Sequence, residues 1–513
     1  MFPSERSGTG QSLGDVVRLR ARSQGDATYL ISARTDASLS FTQLATKVEW
    51  WRDVVHTRHG REGERWGVML GDPLEFATCF IGLLCAGVWV APLDPTATTL
   101  NARMFQERLA RLRLDGVVSD RPKPPGTAIQ WMDISAMSLR ASDVRGTASS
   151  AKGGGVILAS SGTTGTPKVV ALSDAQLLAA ADLVARHHGL GPSERGLSPL
   201  PLWHVNAEVV GLLATIVAGG SLVLDDRFHR TDFWLVAKRH EVTWINAVPA
   251  IIARLEPLRE GEVVPSGIRF VRSASAPLSD ALLEHFESTI GLDVVETYGM
   301  TEAASQICAN PVNGPRKPGS VGPPVGVELR IVPDDDADHR SADEGIGHIE
   351  IRGPSVITSY DAAGYEDRFD DEGWLRTGDM GRLDEDGYLF IVGRSDDVIN
   401  RGGEKIFPRE IEEVVEGVEG VLQACVVGLP DDVFGRVPVL FITLDETIEV
   451  GHTGTLASLC EEVRDLLVAS FARARRPVSI NAIETMPSQA LGKVQRHRLE
   501  NGEIEVILCV AVQ

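Results

Sequence analysis

Apolar positions along this chain alternate between two periods. The segment 42–59 carries Leu44, Val48, Trp51 and Val55 at helical spacing and stops at Gly60, which predicts a helix with one buried face. Ser173 is placed to cap a second helix running to His187 and stopped by Gly189. Ser279 caps a third, with Leu282, Leu283 and Phe286 on one face and Gly291 past its end. Between them lie short β-rich runs, Gly67-Val68-Met69-Leu70, Val242-Thr243-Trp244-Ile245 and Val294-Val295-Glu296. This alternation predicts an α/β architecture with largely parallel sheets. Two of the runs lead into loops that begin with Asn246 and with Thr297-Tyr298, and ligands bind beyond the carboxyl ends of strands in such sheets.

The pattern changes near residue 320. Gly345-Ile346-Gly347-His348-Ile349-Glu350-Ile351 and Gly387-Tyr388-Leu389-Phe390-Ile391-Val392-Gly393 predict short strands among Gly/Asp-rich turns, hence a small β subdomain. Pro408 opens a helix running through Glu416, where proline is tolerated at the first position. A strand over 424–428 and a long helix around 456–471 complete an α+β tail of about 120 residues, a usual domain size. Between the two textures, Gly393-Arg394-Ser395-Asp396-Asp397 reads equally as a hinge and as a polar turn.

At 513 residues the chain exceeds what one core serves, so two or more domains are expected. Its 50 basic and 71 acidic side chains leave a net charge of −21, which argues against nucleic acid or an anionic membrane as the main partner. A local nest of N–H groups and lysine still binds an anion, because distant charges are screened. Six cysteines with no CxxC and no His/Cys pair at metal spacing fit a reduced, cytoplasmic protein. Met1-Phe2-Pro3-Ser4-Glu5-Arg6 lacks an apolar signal region, and no apolar stretch reaches the length of a span, so no membrane insertion is expected.

Candidate chemistry begins with Ser160-Ser161-Gly162-Thr163-Thr164-Gly165-Thr166-Pro167-Lys168, directly after the apolar run Val156-Ile157-Leu158-Ala159. Glycines admit close approach of oxygen and hydroxyls donate without bulk, so the loop suits a polyphosphate; the same composition suits a flexible connector. It is not a Walker A loop, since Lys168 follows a proline and no Lys-Ser/Thr pair closes it. Tyr298-Gly299-Met300-Thr301-Glu302 offers a ring for stacking, a hydroxyl for phosphate and a carboxylate for a hard cation, or is simply a turn. Asp379, after a turn in Trp374-Leu375-Arg376-Thr377-Gly378-Asp379, can accept from both ribose hydroxyls or be turn chemistry. Lys493, in Leu491-Gly492-Lys493-Val494-Gln495-Arg496, gains meaning only from its company.

That company is ordered. SSGTTGTPK, YGMTE, GWLRTGD, GYLFIVGRSDD, NRGGEKIFPREIEE and LGKVQR stand in the sequence and spacing of the adenylate-forming superfamily, in its acyl- and aryl-CoA synthetase branch. The chain resembles that superfamily over nearly its whole length, from Leu84-Cys85-Ala86-Gly87 and Pro92-Leu93-Asp94-Pro95 to Lys493. The resemblance implies a large N-terminal domain, 1–393, of two doubly wound subdomains plus a small β-barrel-like subdomain at about 320–393. A hinge at 394–396 and a mobile α+β C-terminal domain, 397–513, follow.

The implied reaction has two steps, using ATP, Mg2+ and coenzyme A. A carboxylate attacks the α-phosphate, giving acyl-AMP and pyrophosphate; a thiol then takes the acyl group and expels AMP. By the same resemblance Thr163, Thr164 and Lys168 steer the β/γ-phosphates, with Ser161, Gly162 and Gly165 in the same loop. Glu302 holds the metal, Thr301 contacts the α-phosphate, and Ser275-Ala276-Pro277 with Tyr298 and Gly299 frame the adenine. Asp379 and Arg394 hold the ribose, and Lys493 bridges carboxylate and phosphate oxygens. Rotation about Asp396 would exchange Lys493 for the loop Arg401-Gly402-Gly403-Glu404, whose Arg401, Gly402 and Gly403 would line a coenzyme A tunnel.

Leu200-Pro201-Leu202-Trp203-His204-Val205-Asn206 matches the aromatic-gate segment, and His204 sits where CoA-ligating members often carry histidine; a buried structural histidine is the other reading. Amino-acid adenylating domains usually place an aspartate here, and none occupies 203–206, although Glu208 is near. Asn400-Arg401-Gly402-Gly403-Glu404-Lys405-Ile406 looks most like the CoA ligases. Ser359-Tyr360 and Leu491 depart from the commoner Gly-Tyr and Ser/Thr without removing a catalytic group. Asn206, Ala207, Gly211, Asn246, Ser273 and Gly299 are the acyl-pocket candidates, small and amide residues that suggest a modest, partly polar pocket. No carrier motif follows the tail, so a stand-alone ATP-dependent carboxylate–CoA ligase is expected, as monomer or homodimer. The alternatives are an enzyme loading an acyl carrier protein and a non-catalytic nucleotide-binding regulator.

Overall fold

A computed structural model describes residues 11–55, 62–96, 102–134, 154–160, 168–255, 257–334, 344–362, 364–444, 453–488 and 494–512. Helices start where local chemistry satisfies their first N–H groups. Ser40 and Ser173 each form a capping box, with Gln43 and Gln176 respectively, and so begin the helices Phe41–Val54 and Asp174–His187. Ser279 accepts from Leu282 N at the start of the helix Asp280–Ile290, which ends at Gly291 with φ +74°. The expected continuation of the first helix toward residue 59 lies outside the described residues.

Two large sheets carry the N-terminal part. One runs, in spatial order, Gln130–Asp133, Gly116–Ser119, Arg65–Met69, Trp89–Pro92, Gly155–Ser160 and Lys168–Ser173, parallel except for its last pair. The other has eight strands, of which Val294–Met300, Phe270–Ser273, Trp244–Ala247, Arg195–Ser198, Ser221–Leu224 and Thr28–Ser32 are mutually parallel. Antiparallel strands Ser305–Ala309 and Ser38–Ser40 close its two edges. One core cluster, which includes Leu13, Trp66, Phe80, Trp244 and Phe270, lies among these sheets and their helices.

Three strand ends differ from the sequence expectation, each because of a distant partner. The run at Val294 extends to Met300, since Ser305–Ala309 folds back and pairs with it; Thr297 and Tyr298 therefore lie in the strand, not in a loop. Asn246 is likewise inside Trp244–Ala247, opposite Arg272 of the parallel strand Phe270–Ser273. Asp379 does not follow a turn: it lies within Leu375–Leu383, opposite Arg394.

The small β subdomain is a four-stranded antiparallel meander, Glu328–Pro333, Gly347–Arg352, Leu375–Leu383 and Leu389–Arg394. Beyond it, Ile399–Arg401 and Glu404–Ile406 form a hairpin across Gly402 and Gly403, whose φ of +61° and +98° give the handedness that a two-residue turn needs. The helix Pro408–Glu416 has the predicted bounds, and Val421–Asp431, Gly435–Leu444, Ser479–Ile483 and Val506–Ala511 continue the sheet. Ile406, Ile411, Leu440, Val463 and Ile480 belong to a core cluster separate from the N-terminal one. Among the described residues no helix is long and apolar enough to cross a membrane.

Arg496 ties this last unit together. It pairs with Glu412 of the helix at 2.7 Å and with Asp397 at 3.3 Å, and donates to the carbonyl of Val426 at 2.5 Å. Leaving Glu412 and Asp397 without it is costly, so Arg496→Met is expected to lower stability by roughly 2–3 kcal/mol. Urea unfolding would read that loss; an unchanged midpoint would contradict it.

Candidate functional site

The phosphate-loop candidate joins two antiparallel strands, with Ser160 directly opposite Lys168. Ser161, Gly162, Thr163, Thr164 and Gly165 lie outside the described residues, as does Lys493. Lys168 opens the second strand, and its ammonium stands over the rings of Tyr360, at 5.4 Å, and Tyr365, at 5.0 Å. Burial and then the charge of Arg368 lower its pKa, while Glu302 and Asp396 act to raise it. One ammonium thus feels Glu302, Arg368 and two residues of the hinge candidate, Arg394 and Asp396.

Glu302 is buried in the 3-10 turn Thr301–Ala303 that follows the extended strand. Its Oε1 accepts from the Tyr360 hydroxyl at 3.0 Å, a phenol whose pKa burial and then Glu302 push far up, keeping it a donor. A single buried carboxylate with one oxygen held by a neutral donor leaves lone pairs for a hard cation shared with phosphate oxygens. Thr301 lies at the start of the same turn.

A second group forms around Asp379. Tyr298 donates its hydroxyl to Asp379 Oδ2, and burial and then Asp379 keep that phenol protonated. Arg394 Nη1 lies 3.6 Å from Asp379 Oδ1, and its pKa is raised because Asp379, Asp397 and Asp396 outweigh burial. Ser395 Oγ donates to the carbonyl of Gly378 at 3.1 Å, fastening the hinge candidate to the Asp379 strand.

Of the acyl candidates, Asn206 and Asn246 are brought together, both accepting from Arg272. Asn206 and Ala207 begin the π-helical stretch Asn206–Leu213, a form often found at functional sites, and both are buried. Asn206 Nδ2 reaches Ser275 Oγ at 3.4 Å, so the acyl candidates adjoin the Ser275-Ala276-Pro277 segment. A Cβ at Gly211 would meet Leu222 and Ser198 at 3.5 and 3.7 Å, and one at Gly299 would lie 1.5 Å from the Ser305 carbonyl. Gly299 is therefore required by the packing of backbone on backbone. Ser273 is fully buried beside Arg272. His204 is held at about 4 by burial and then the charge of Arg108, so the ring is neutral at physiological pH, and its buried Nε2 has no partner among the described residues.

Arg401 is not free to face a ligand with its whole fork: Nη1 donates to the carbonyls of Ala474, at 2.9 Å, and Arg476, at 3.1 Å. From the next strand of its hairpin, Lys405 pairs with Asp334 of the small β subdomain.

Sequence reasoning missed three features of this region. Tyr360 stands beside the minor departure at Ser359 and drew no role of its own, yet it links Lys168 to Glu302. Ser275, Ala304 and Ser305 have φ of +74°, +50° and +98°, strained values for residues other than glycine that cluster at functional sites. Buried Arg272 donates to Asn206 Oδ1 at 2.9 Å and to Asn246 Oδ1 at 3.2 Å. An arginine directly after the apolar Phe270-Val271 of a parallel strand is a signal that the sequence itself carries.

The AMP-binding enzyme family matches residues 17–361, and the AMP-binding enzyme C-terminal domain matches residues 410–493. The sulfoacetate–CoA ligase of Cupriavidus necator is 34% identical over 510 residues, 96% of this chain and 97% of that protein. The oxalate–CoA ligase of Arabidopsis thaliana is 34% identical over 355 residues, 67% of this chain and 66% of that protein. Among solved structures, the o-succinylbenzoate–CoA synthetase of Bacillus subtilis with its acyl-adenylate intermediate has a TM-score of 0.80 at 26% identity, over 96% of this chain and 98% of that one.

Proposed function

Since the chain belongs to the AMP-binding enzyme family, we propose that it is an ATP-dependent carboxylate–CoA ligase working through an acyl-adenylate. The observation that carries this reading is the nearness of Lys168, Tyr360 and Glu302 to the Tyr298–Asp379–Arg394 group, whose Arg394 charge acts on both Lys168 and Tyr360. These groups supply a cation for phosphates, a carboxylate for a metal and a carboxylate–guanidinium pair for a ribose. The sulfoacetate, oxalate and succinylbenzoate named for the relatives each carry a second acidic group, and an acid of that class is the reading for this chain.

In the first step a carboxylate oxygen attacks the α-phosphorus and the bond to pyrophosphate breaks. Both reactants are anionic, so the side chains must offset repulsion as well as align the atoms. Lys168, with Thr163 and Thr164 and the backbone of Ser161, Gly162 and Gly165, holds the β/γ-phosphates. Thr301 donates to the α-phosphate, and Lys493 bridges it to the incoming carboxylate. Ser275, Ala276, Pro277, Tyr298 and Gly299 frame the adenine, while Asp379 and Arg394 fix the ribose. Glu302 would hold Mg2+, which when bound neutralises phosphate charge. In the second step the coenzyme A thiolate attacks the acyl carbon and the bond to AMP breaks.

The steps need different surfaces of one small domain. The division is 1–393, a hinge at 394–396 and 397–513, with Asp396 as pivot and Arg401, Gly402 and Gly403 brought to the site for thioester formation. His204 lies on the acyl side as a neutral gate residue. A cytoplasmic monomer or homodimer belongs to the same reading, supported by six cysteines without a disulfide among them.

A panel of carboxylic acids scored for pyrophosphate and AMP release, with and without coenzyme A, tests it. CoA-dependent AMP turnover is expected. Adenylate accumulation indifferent to coenzyme A would favour loading of a carrier protein, and silence across the panel would favour a regulatory nucleotide binder. Tyr360→Phe removes only the hydroxyl on Glu302, a bond to a charged acceptor, and is expected to lower kcat/KM for ATP about tenfold. Steady-state kinetics with ATP varied would check it; an unchanged value would take Tyr360 out of the site.

A further inference from the structure

Arg272 is a buried charge that the two-step chemistry leaves unused. It is 1% exposed in the strand Phe270–Ser273, opposite Asn246 of the adjacent strand. Its Nη1 donates to two amide oxygens, Asn206 Oδ1 and Asn246 Oδ1, while its Nε has no partner among the described residues. Asn246 Nδ2 is a second buried donor without an acceptor among the described residues. No aspartate or glutamate among the described residues acts on this guanidinium; burial alone lowers it, to about 9, so it stays charged at neutral pH. Glu208, buried two residues on from Asn206, makes no ion pair with the guanidinium: both its carboxyl oxygens are without a partner among the described residues, and burial pushes its pKa far up.

A cation enclosed this way, with surplus donors and no anion, costs several kcal/mol unless something else brings the negative charge. The two amides bind the guanidinium through oxygen and so fix its plane without neutralising it. Asn206 also touches Ser275, the first residue of the segment assigned to adenine, so the space served by Arg272 is close to the nucleotide whose α-phosphate the acid must reach.

We propose that Arg272, oriented by Asn206 and Asn246, binds a second anionic group, carboxylate or sulfonate, at the far end of a short acid substrate, and thereby sets the specificity of the enzyme. This rests on the ligase reading above. A carboxylate–guanidinium contact in a dry site discriminates strongly, because an acid lacking the second anion leaves the guanidinium unpaired.

The test compares malonate and sulfoacetate with propionate and β-alanine, using the full chain with ATP, Mg2+ and coenzyme A, and reads AMP formation. At least one dianion is expected to exceed propionate in kcat/KM by on the order of 10³-fold. Arg272→Gln, which keeps amide donors but removes the charge, should shrink that ratio about 100-fold or more, mainly through KM for the dianion, and Arg272→Lys should restore part of it. A rise in melting temperature with ATP shows that each variant is folded; if the Gln variant fails to fold, the ratio in the Lys variant is the readout. A wild-type preference for propionate or β-alanine overturns the proposal while leaving the ligase reading intact. So does an unaltered ratio in a folded variant. Absence of CoA-dependent AMP from every acid overturns both.

Discussion

Lys493→Ala is expected to reduce acyl-adenylate formation by on the order of 10²–10³-fold while thioester formation from supplied acyl-AMP continues near its normal rate. The asymmetry follows from the charges. In the first step an anionic carboxylate must approach a triphosphate, and a lysine between the two oxygens stabilises charge that is concentrated there only as the bond forms. In the second step the nucleophile is sulfur and the electrophile is an acyl carbon, and in the proposed cycle the small domain would present the Arg401–Gly402–Gly403 turn instead. Pyrophosphate exchange and single-turnover thioester formation, measured on the same preparation, separate the steps. Equal loss in both would remove the role assigned to Lys493.

The opposite asymmetry is expected of Asp396→Pro. Asp396 lies in the 3-10 turn Ser395–Asp397, between a strand fastened to the Asp379 group and the Arg496 network of the C-terminal unit. Proline fixes φ and removes a donor, so the turn can no longer absorb the backbone change that rotation requires. Adenylation should survive in the conformation that retains Lys493. Thioester formation should fall by on the order of 10²-fold, since a nucleophile misplaced by an ångström already costs that much. Unimpaired CoA ligation would refute the pivot.

How far the sequence could be read depended on how local each feature is. Ser173 with Gln176, Ser279 with Gly291, and Pro408 fix helix ends through groups a few residues away, and those helices lie where the pattern puts them. Strand ends are set by partners elsewhere. The segment from Val294 continues to Met300 because Ser305–Ala309 pairs with it, and Asp379 is in a strand because Arg394 lies opposite. In the candidate site, Lys168, Glu302, Tyr298 and Asp379 stand out in the sequence by type and order. Tyr360 does not, since its contact with Glu302 spans 58 residues, and Arg272 shows only as an arginine after an apolar run, its bond to Asn206 spanning 66. The hydrogen-bonding cost of burying such groups is visible only once the sheet has placed them.

The central claim is that a carboxylate oxygen of the acid attacks the α-phosphate of ATP. The acid that the panel selects can be prepared with oxygen-18 in both oxygens of the reacting carboxylate and turned over with ATP and coenzyme A. One labelled oxygen per turnover should appear in AMP, and the other should remain in the thioester carbonyl, with none in pyrophosphate. Label recovered in inorganic phosphate with ADP as the co-product, or AMP released without label, would contradict an acyl-adenylate and with it the roles assigned to Lys493, Glu302 and Asp379.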